Sequence, residues 1–193
     1  MTKNFSHLGI VGIIVVAFAG AGLAWDAGAQ TMISSIEELQ KIGDPDEEDY
    51  PLDGFYWLAE DIDASETADW NEGAGFDPIG DSEDGFSGIF DGNGHTITGL
   101  VIDRPEEDEV GLLGRVRFAN IEDVGLEDCS VTGGDNTGAL VGNLDSGLIV
   151  DSYASGSVTG EYCVGGLVGK KTGGEVSRSY ATGDVIGLEN QVG

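Results

Sequence analysis

Apolar and polar residues alternate in short runs along the second half of the chain, and most of these runs end at a glycine. Val131, Val158 and Val185, for example, each lie between neighbours that are mostly polar. Alternation with a period of two places such valines on one face of an extended strand. Runs of about four or five residues bounded by Gly predict short β-strands joined by tight turns.

The same segments recur along the chain at a fixed spacing. Residues 137–142 (TGALVG) recur as residues 164–169 (VGGLVG), at an offset of 27 residues. Residues 151–160 align with residues 178–187 at the same offset and without a gap. Self-similarity with one period is typical of repeat architectures.

A third, looser copy begins at residues 110–114, so that region 110–193 holds three copies. One coil cannot enclose a core alone, so we expect the coils to stack, with each strand paired to its equivalent in the next coil. The predicted fold is all-β, a right-handed parallel β-helix, or solenoid. The predicted stacks are Val131 on Val158 on Val185, Leu140 on Leu167, Ile149 on Val176 and Tyr153 on Tyr180.

Glycines also recur at equivalent positions, as in the pair Gly156 and Gly183. Repeated glycines predict corners at which the backbone needs a positive φ or a close approach to another chain segment.

These residues carry a resemblance to a known family. Val164-Gly-Gly-Leu-Val-Gly169, followed by Ser179-Tyr-Ala-Thr-Gly183 and Val185, resembles the GLUG repeat of bacterial and archaeal surface proteins. Residues 86–102 are similar to the strand-turn-strand stretch that commonly precedes those repeats. The resemblance implies an extracellular, adhesin-like parallel β-helix, a module also found beside the catalytic part of some immunoglobulin A-cleaving metallopeptidases. It implies no catalytic residue, and the first copy departs from it with Gly125-Leu126 in place of Tyr-Ala.

The first 29 residues have the order of a secretory signal peptide. Lys3 precedes an apolar run over residues 8–25, and Ala27-Gly28-Ala29 precedes Gln30, which predicts cleavage after Ala29. The alternative is an uncleaved anchor, since the run approaches the length that spans hydrocarbon. No later segment is apolar enough to span a membrane, so we expect a secreted or cell-surface, extracytoplasmic protein.

Region 30–109 is interpreted as an acidic N-terminal cap and the first coils of the β-helix. Ser35 and Glu38 have the spacing of a capping box, and Ile36 and Leu39 follow a helical period until Gly43. The pattern predicts a short helix that closes the N-terminal end of the solenoid.

Negative charge is concentrated in this first region. The whole chain has a formal net charge of -28, and region 30–109 holds 24 Asp or Glu against Lys41 and Arg104. Nucleic acid is therefore excluded as a partner. Two acidic loops, residues 44–49 and 104–109, have the hard carboxylates that suit calcium. Without an EF-hand spacing we favour solvated or salt-adapted loops, with no cofactor required and calcium as the alternative.

Catalytic candidates are few, and we assign no catalytic, cofactor-binding or metal-binding residue. Asp61 and Asp63 share one face of a predicted strand and could pair for glycoside chemistry, but such pairs arise by chance in so acidic a segment. His95 follows the turn signal of residues 91–94 and is interpreted as a turn residue. Beyond the signal peptide it is the single histidine, which excludes a multi-histidine zinc site.

Four aromatic residues and two cysteines leave alternatives open. The aromatic residues either form a sugar-stacking platform or, as we favour, fill the end cap: Phe55, Tyr56, Trp57 and Trp70. Cys129 and Cys163 fall in different columns of the repeat, so separate thiols are favoured over a disulfide.

The sequence therefore predicts a non-enzymatic secreted or cell-surface module, an adhesin-like scaffold for binding or display. Its expected partners are an extracellular glycan or a surface protein. The alternatives are a polysaccharide-cleaving β-helix enzyme and the N-terminal region of a larger surface protease whose catalytic domain is missing. An ice-binding solenoid would need a continuous Thr ladder, which Ile186 interrupts after Thr132 and Thr159. Val192-Gly193 resembles the start of a fourth copy, so we expect a longer chain, cut within a repeat.

Overall fold

The computed structural model describes residues 30–188. The predicted signal peptide, residues 1–29, and the start of the expected fourth copy at Val192 lie outside the described residues.

Strands dominate the described chain, with one short α-helix and one irregular 3₁₀ segment. In chain order, the first strands are β1 Gln30–Ile33, β2 Phe55–Leu58, β3 Ile62–Asp63, β4 Ile89–Asp91, β5 Thr96–Thr98, β6 Val101–Asp103, β7 Leu113–Val116, β8 Ala119–Glu122 and β9 Gly125–Thr132. They are followed by β10 Thr137–Gly138, β11 Val141–Leu144, β12 Gly147–Val150, β13 Tyr153–Gly160, β14 Val164–Gly165, β15 Val168–Lys171, β16 Glu175–Ser177 and β17 Tyr180–Gly187. Helix α1 is Ile36–Gln40, and the 3₁₀ segment is Ser65–Gly73.

Equivalent strands of successive coils pair side by side and form the faces of a parallel β-solenoid. One face has the order β1-β2-β4-β8-β12-β16. A second face has the order β17-β13-β9-β5-β3, with β6 also paired to β9. Two smaller sheets, β15-β11-β7 and β10-β14, complete the coils. Apart from one isolated antiparallel bridge, every strand pair of the described chain is parallel, which confirms the predicted fold.

The core is built from ladders of apolar side chains that run along the stack. Phe90 pairs in register with Tyr56 on one side and Ile121 on the other, and the ladder continues through Ile149 to Val176. The predicted ladder Val131, Val158 and Val185 is confirmed. Tyr153 also stacks on Tyr180, with ring centroids 5.5 Å apart, but on the outward side of β13, because Ala154 and Val158 face the core.

Helix α1 packs its apolar side into the core beside the first coil, as predicted. Ile36 and Leu39 are buried. The Ser35 hydroxyl accepts the N–H of Glu38 at 3.3 Å, which caps the helix start. The Glu38 carboxylate, however, accepts the N–H and hydroxyl of Ser34 rather than the Ser35 N–H, so the reciprocal half of the capping box involves the preceding residue.

The looser first repeat is explained by a bulge in β9. Ala154 pairs with Leu126, a spacing of 28, whereas Gly156 pairs with Cys129, a spacing of 27. The extra residue is absorbed around Asp128, which has a φ of 52°. A bulge of this kind restores the repeat register without breaking the ladder on either side.

Candidate functional site

The two predicted acidic loops border a single groove beside the first coils. The groove has a volume of about 880 Å³. Its wall also includes an acidic turn at residues 81–84, which the sequence did not single out. The lining combines carboxylates with apolar side chains: Asp44, Asp77, Asp81, Asp84, Glu107, Asp108, Glu109, Ile42, Leu52 and Trp70. The fold thus concentrates carboxylates that lie far apart in the sequence.

Several groove carboxylates bind donors of their own chain. Arg104 Nη1 lies 3.1 Å from Asp77 and 2.9 Å from Glu107. Asp108 Oδ1 accepts the N–H of Asp135 at 2.9 Å. Some of these carboxylates therefore hold the loop over residues 104–109 in one conformation. A side-chain oxygen that accepts a backbone N–H stabilises the backbone conformation in which the two groups meet.

The other two acidic segments are closed by turns of their own. Asp44 Oδ1 accepts the N–H of Asp46 at 2.9 Å. Asp81 Oδ1 accepts the N–H groups of Glu83 and Asp84, both at 2.8 Å. These are Asx turns, in which a side-chain oxygen replaces a backbone acceptor.

A half-buried ion-pair network lies next to the groove and joins three coils. Arg115 Nη2 lies 2.6 Å from Asp145 Oδ2, and Arg115 Nη1 lies 3.1 Å from Glu109 Oε1. Arg117 Nε lies 3.4 Å from the same Asp145 oxygen. The Thr172 hydroxyl donates to the other Asp145 oxygen at 3.0 Å. Since β7, β11 and β15 are neighbours, this network ties successive coils together outside the core.

Asp145 is the centre of this network. Burial alone would raise the pKa of Asp145, but the hydrogen bonds from Arg115 and Thr172 and the positive charge of Arg115 outweigh burial and hold that pKa below its ordinary value. The hydrogen bond to Asp145 in turn raises the pKa of Arg115. Both groups are therefore charged at neutral pH.

Replacing Asp145 by Asn is expected to lower the free energy of unfolding by about 2 kcal/mol at pH 7, because Arg115 and Arg117 lose their shared partner. The folded-state pKa of Asp145 lies below its unfolded value, so the contribution is present above about pH 4 and is lost as the pH falls through the folded pKa. Denaturant unfolding of both chains between pH 7 and pH 3 measures this. The exposed Asp103→Asn variant is the control. If the difference in free energy of unfolding between the wild type and Asp145→Asn grew toward pH 3, the role of Asp145 as an ionised partner of Arg115 would be contradicted.

The structure shows how the candidate pair Asp61 and Asp63 is used. Asp61 Oδ1 accepts the N–H of Thr96 at 3.0 Å and lies 3.0 Å from His95 Nδ1. Asp63 Oδ1 accepts the N–H of Ser65 at 2.9 Å. The Thr96 N–H, followed by the His95 ring, lowers the pKa of Asp61, and hydrogen bonds from Ser65 lower the pKa of Asp63. Both carboxylates are thus ionised acceptors at neutral pH.

His95 follows the predicted turn, and its N–H donates to Gly92 O at 2.8 Å. The contact between its ring and Asp61 was not predicted, because the two residues are 34 positions apart. A β-solenoid alignment of the first coils would have found it, since Ile62 pairs with Ile97 in neighbouring strands.

The four aromatic candidates do not form one platform. Tyr56 is buried in the core, and its hydroxyl donates to Pro51 O at 2.6 Å. Phe55 and Trp57 alternate with it and are half-buried on the outward side of β2. Trp70 lies in the groove wall and stacks on Phe76, with ring centroids 6.5 Å apart. Only part of the set therefore serves the packing role favoured from the sequence.

The two cysteines are separate, as favoured from the sequence. Cys129 is buried in the bulged strand β9, its thiol donates to Ser155 O at 3.1 Å, and burial raises its pKa to about 11. Cys163 is exposed in a turn. The buried Cys129 thiol is therefore unreactive at neutral pH.

Among residues 30–188, no three His, Cys, Asp or Glu side chains form a group that could hold a metal ion. Within the same residues, no helix is long and apolar enough to cross a membrane.

The polar network around Asp145 was also absent from the sequence analysis. Its contacting side chains are separated by up to 34 residues in the sequence, and their proximity depends on the 28-residue register between Arg115 and Asn143. Aligning β7 on β11 at this spacing, rather than at 27, is the signal that places Arg115 within reach of Asp145.

Comparison with known proteins confirms the family resemblance for the last complete repeat. Residues 160–186 match the GLUG motif. A stretch of 122 residues, 60% of this chain, is 43% identical to halomucin of Haloquadratum walsbyi, of which it covers 1%. A stretch of 103 residues, 49% of this chain, is 34% identical to a protein of Evansella cellulosilytica described as a Gly-rich membrane protein, of which it covers 11%.

This chain therefore corresponds to a small part of both relatives. No solved structure gives a significant match to it.

Proposed function

We propose that this chain is a non-enzymatic, secreted or cell-surface module whose β-solenoid serves as an adhesin-like scaffold for binding or display. The observation that carries the proposal is the stack itself. Six strands pair in parallel along one face, from β1 to β16. Each coil contacts its neighbours through the same ladders, and such stacking gives repeat proteins the extended surfaces they use for binding.

The outward positions of the repeats support a scaffold rather than a catalyst. Ser130 and Ser157 are aligned on the outside of β9 and β13, as are Thr132 and Thr159. These are small polar residues without the paired acid and base that hydrolysis of a glycosidic bond needs. The acidic pair singled out from the sequence, Asp61 and Asp63, has two lowered pKa values, whereas a general acid needs a raised one.

The relatives support the surface location. Halomucin and the Gly-rich membrane protein are both similar to this chain over about half of its length or more. Together with the GLUG motif, their names favour a surface-associated, extracytoplasmic module. The expected partner is an extracellular glycan or a surface protein, and the net charge of -28 argues against nucleic acid. The scaffold role requires no cofactor.

Adhesion is tested with beads coated with the purified chain and exposed to a panel of extracellular polysaccharides and to intact cells. We expect retention that depends on the folded solenoid. The matched control is Ile121→Asp, which differs by one residue and is expected not to fold. Equal retention of both chains would indicate unspecific attraction, and no retention on any surface would contradict the binding role.

The enzyme alternative is tested by incubating the same protein with acidic polysaccharides, with divalent cations and with chelator. We expect no shortening of the polymers. Cleavage that is lost in the Asp61→Asn variant but kept in Asp103→Asn would replace the scaffold by a polysaccharide-cleaving enzyme.

A further inference from the structure

Two buried oxygen atoms, one of them on a residue that lines the groove, have no hydrogen-bond partner within residues 30–188. They are Glu109 Oε2 and Asn143 Oδ1. The Asn143 residue is 3% exposed, and the Glu109 side chain is 12% exposed. A buried acceptor without a donor has lost its hydration without compensation, so such atoms call for a water or an ion.

The two side chains are joined directly. Asn143 Nδ2 donates to Glu109 Oε1 at 2.9 Å, and Arg115 Nη1 donates to the same oxygen at 3.1 Å. The available donors therefore converge on one carboxylate oxygen and leave the other oxygen, and the amide oxygen, without a partner. A flip of the Asn143 amide would not help, because it would place its oxygen against Glu109 Oε1.

The surroundings of Glu109 favour a positive charge. Arg104 is shared between Asp77 and Glu107, and Arg115 is shared between Glu109 and Asp145. Three further groove carboxylates accept backbone N–H groups: Asp44, Asp81 and Asp108. Carboxylates in excess over Lys and Arg give the groove a negative potential, which concentrates cations at its wall.

Two backbone carbonyl oxygens also come together at Gly114, the residue before Arg115. The carbonyl oxygens of Gly80 and Glu109 both border the point that a Cβ on Gly114 would occupy. Gly80 and Glu109 line the groove. Carboxylate, amide and backbone oxygens together are the ligand types that Ca²⁺ takes in proteins.

We propose that Glu109 and Asn143 hold a hard, oxygen-coordinated divalent cation, Ca²⁺, at the wall of the acidic groove. The groove is its path from solvent. Because no three acidic side chains converge within residues 30–188, the site has a single carboxylate and is completed by amide and carbonyl oxygens and water. Few charged ligands give weak binding, with a Kd of about 10⁻⁴ to 10⁻³ M, as in extracellular calcium modules.

The proposal is tested on the full chain by thermal unfolding at constant ionic strength, with millimolar Ca²⁺ and with chelator. We expect Ca²⁺ to raise the Tm of the wild-type chain, since a ligand of the folded state stabilises it. Glu109→Gln is expected to lower the affinity for Ca²⁺ at least tenfold. Asn143→Ala removes the amide oxygen and is also expected to lower the affinity for Ca²⁺ at least tenfold. Glu106→Gln, an exposed neighbour outside the groove wall, is the matched control and leaves the shift unchanged.

Terbium luminescence gives a second readout that does not depend on stability. Tb³⁺ replaces Ca²⁺ at oxygen sites, and the indole of Trp70 lies in the groove wall, where it can sensitise the emission. We expect emission that Ca²⁺ competes away and that falls in Glu109→Gln and in Trp70→Phe. An unchanged Tm with Ca²⁺, or equal shifts in the wild type, Glu109→Gln and Asn143→Ala, would overturn the proposal and assign the two oxygens to water.

Discussion

The Ile121→Asp chain is expected to show no cooperative unfolding transition. Ile121 is fully buried in β8, between Phe90 of β4 and Ile149 of β12 in the same ladder. An Asp at this position loses the apolar contacts with both neighbours and places a carboxylate in the core without a partner. The expected loss is at least about 5 kcal/mol, which is comparable to the whole stability of a domain of this size.

Circular dichroism and intrinsic fluorescence during thermal unfolding measure this effect. Asn120→Asp is the matched control, because Asn120 precedes Ile121 in β8 and is exposed on the outward side. We expect the control to melt like the wild type. A cooperative transition at an unchanged temperature in Ile121→Asp would show that position 121 is not part of a stacked core.

Gly156→Ala is expected to lower the free energy of unfolding by about 3 kcal/mol, which two separate causes produce. Gly156 has a φ of 126°, a conformation that residues with a Cβ rarely adopt. A Cβ built at Gly156 would also overlap the carbonyl oxygen of Cys129 in the neighbouring strand. The clash is with backbone, so no side-chain rotation relieves it.

Equilibrium denaturation of Gly156→Ala and of Ser157→Ala measures this effect. Ser157 lies next to Gly156 on the same strand, with an ordinary backbone conformation and an outward side chain. We expect the Ser157 variant to stay within about 0.5 kcal/mol of the wild type. Equal stability of the two variants would mean that the strand does not approach Cys129 as closely as the ladder requires.

The repeat spacing predicted the fold because the offset between copies in the sequence equals the offset between paired residues in the structure. Residues 27 apart are paired between β13 and β17, so each residue from Tyr153 to Gly160 faces its equivalent. Inward positions followed from the alternation around Val158. The helix α1 was also predicted, since the Ser35 cap and the spacing of its apolar residues are local signals.

The polar surface could not be predicted in the same way. The bulge at Asp128 changes the spacing between paired residues from 28 to 27, and the pattern of apolar residues does not reveal this change. The groove depends on three loops that meet only after the coils have stacked. The Arg115 contact with Asp145 depends on the same register. Charged residues on loops do not recur with a fixed period, so the sequence identified the individual carboxylates but not the groove that they form.

The last coil of the described chain shows what stacking contributes. Val185 aligns with Val158, yet it is 49% exposed whereas Val158 is 3% exposed. The difference arises because β17 is an edge strand, and no other described strand packs on its far side. Burial in this fold is therefore supplied by the neighbouring coil rather than by the coil itself.

The central claim is that coils stack in parallel and in register, and interstrand nuclear Overhauser effects test it most directly. We predict contacts between backbone protons of residues 27 apart along β13 and β17, from Tyr153 with Tyr180 to Gly160 with Gly187. The spacing should change to 28 between β9 and β13 on the N-terminal side of the bulge, where Leu126 faces Ala154. In an antiparallel hairpin, the sequence separation between facing residues changes by two for each residue along the strand. Contacts with that pattern would contradict the solenoid.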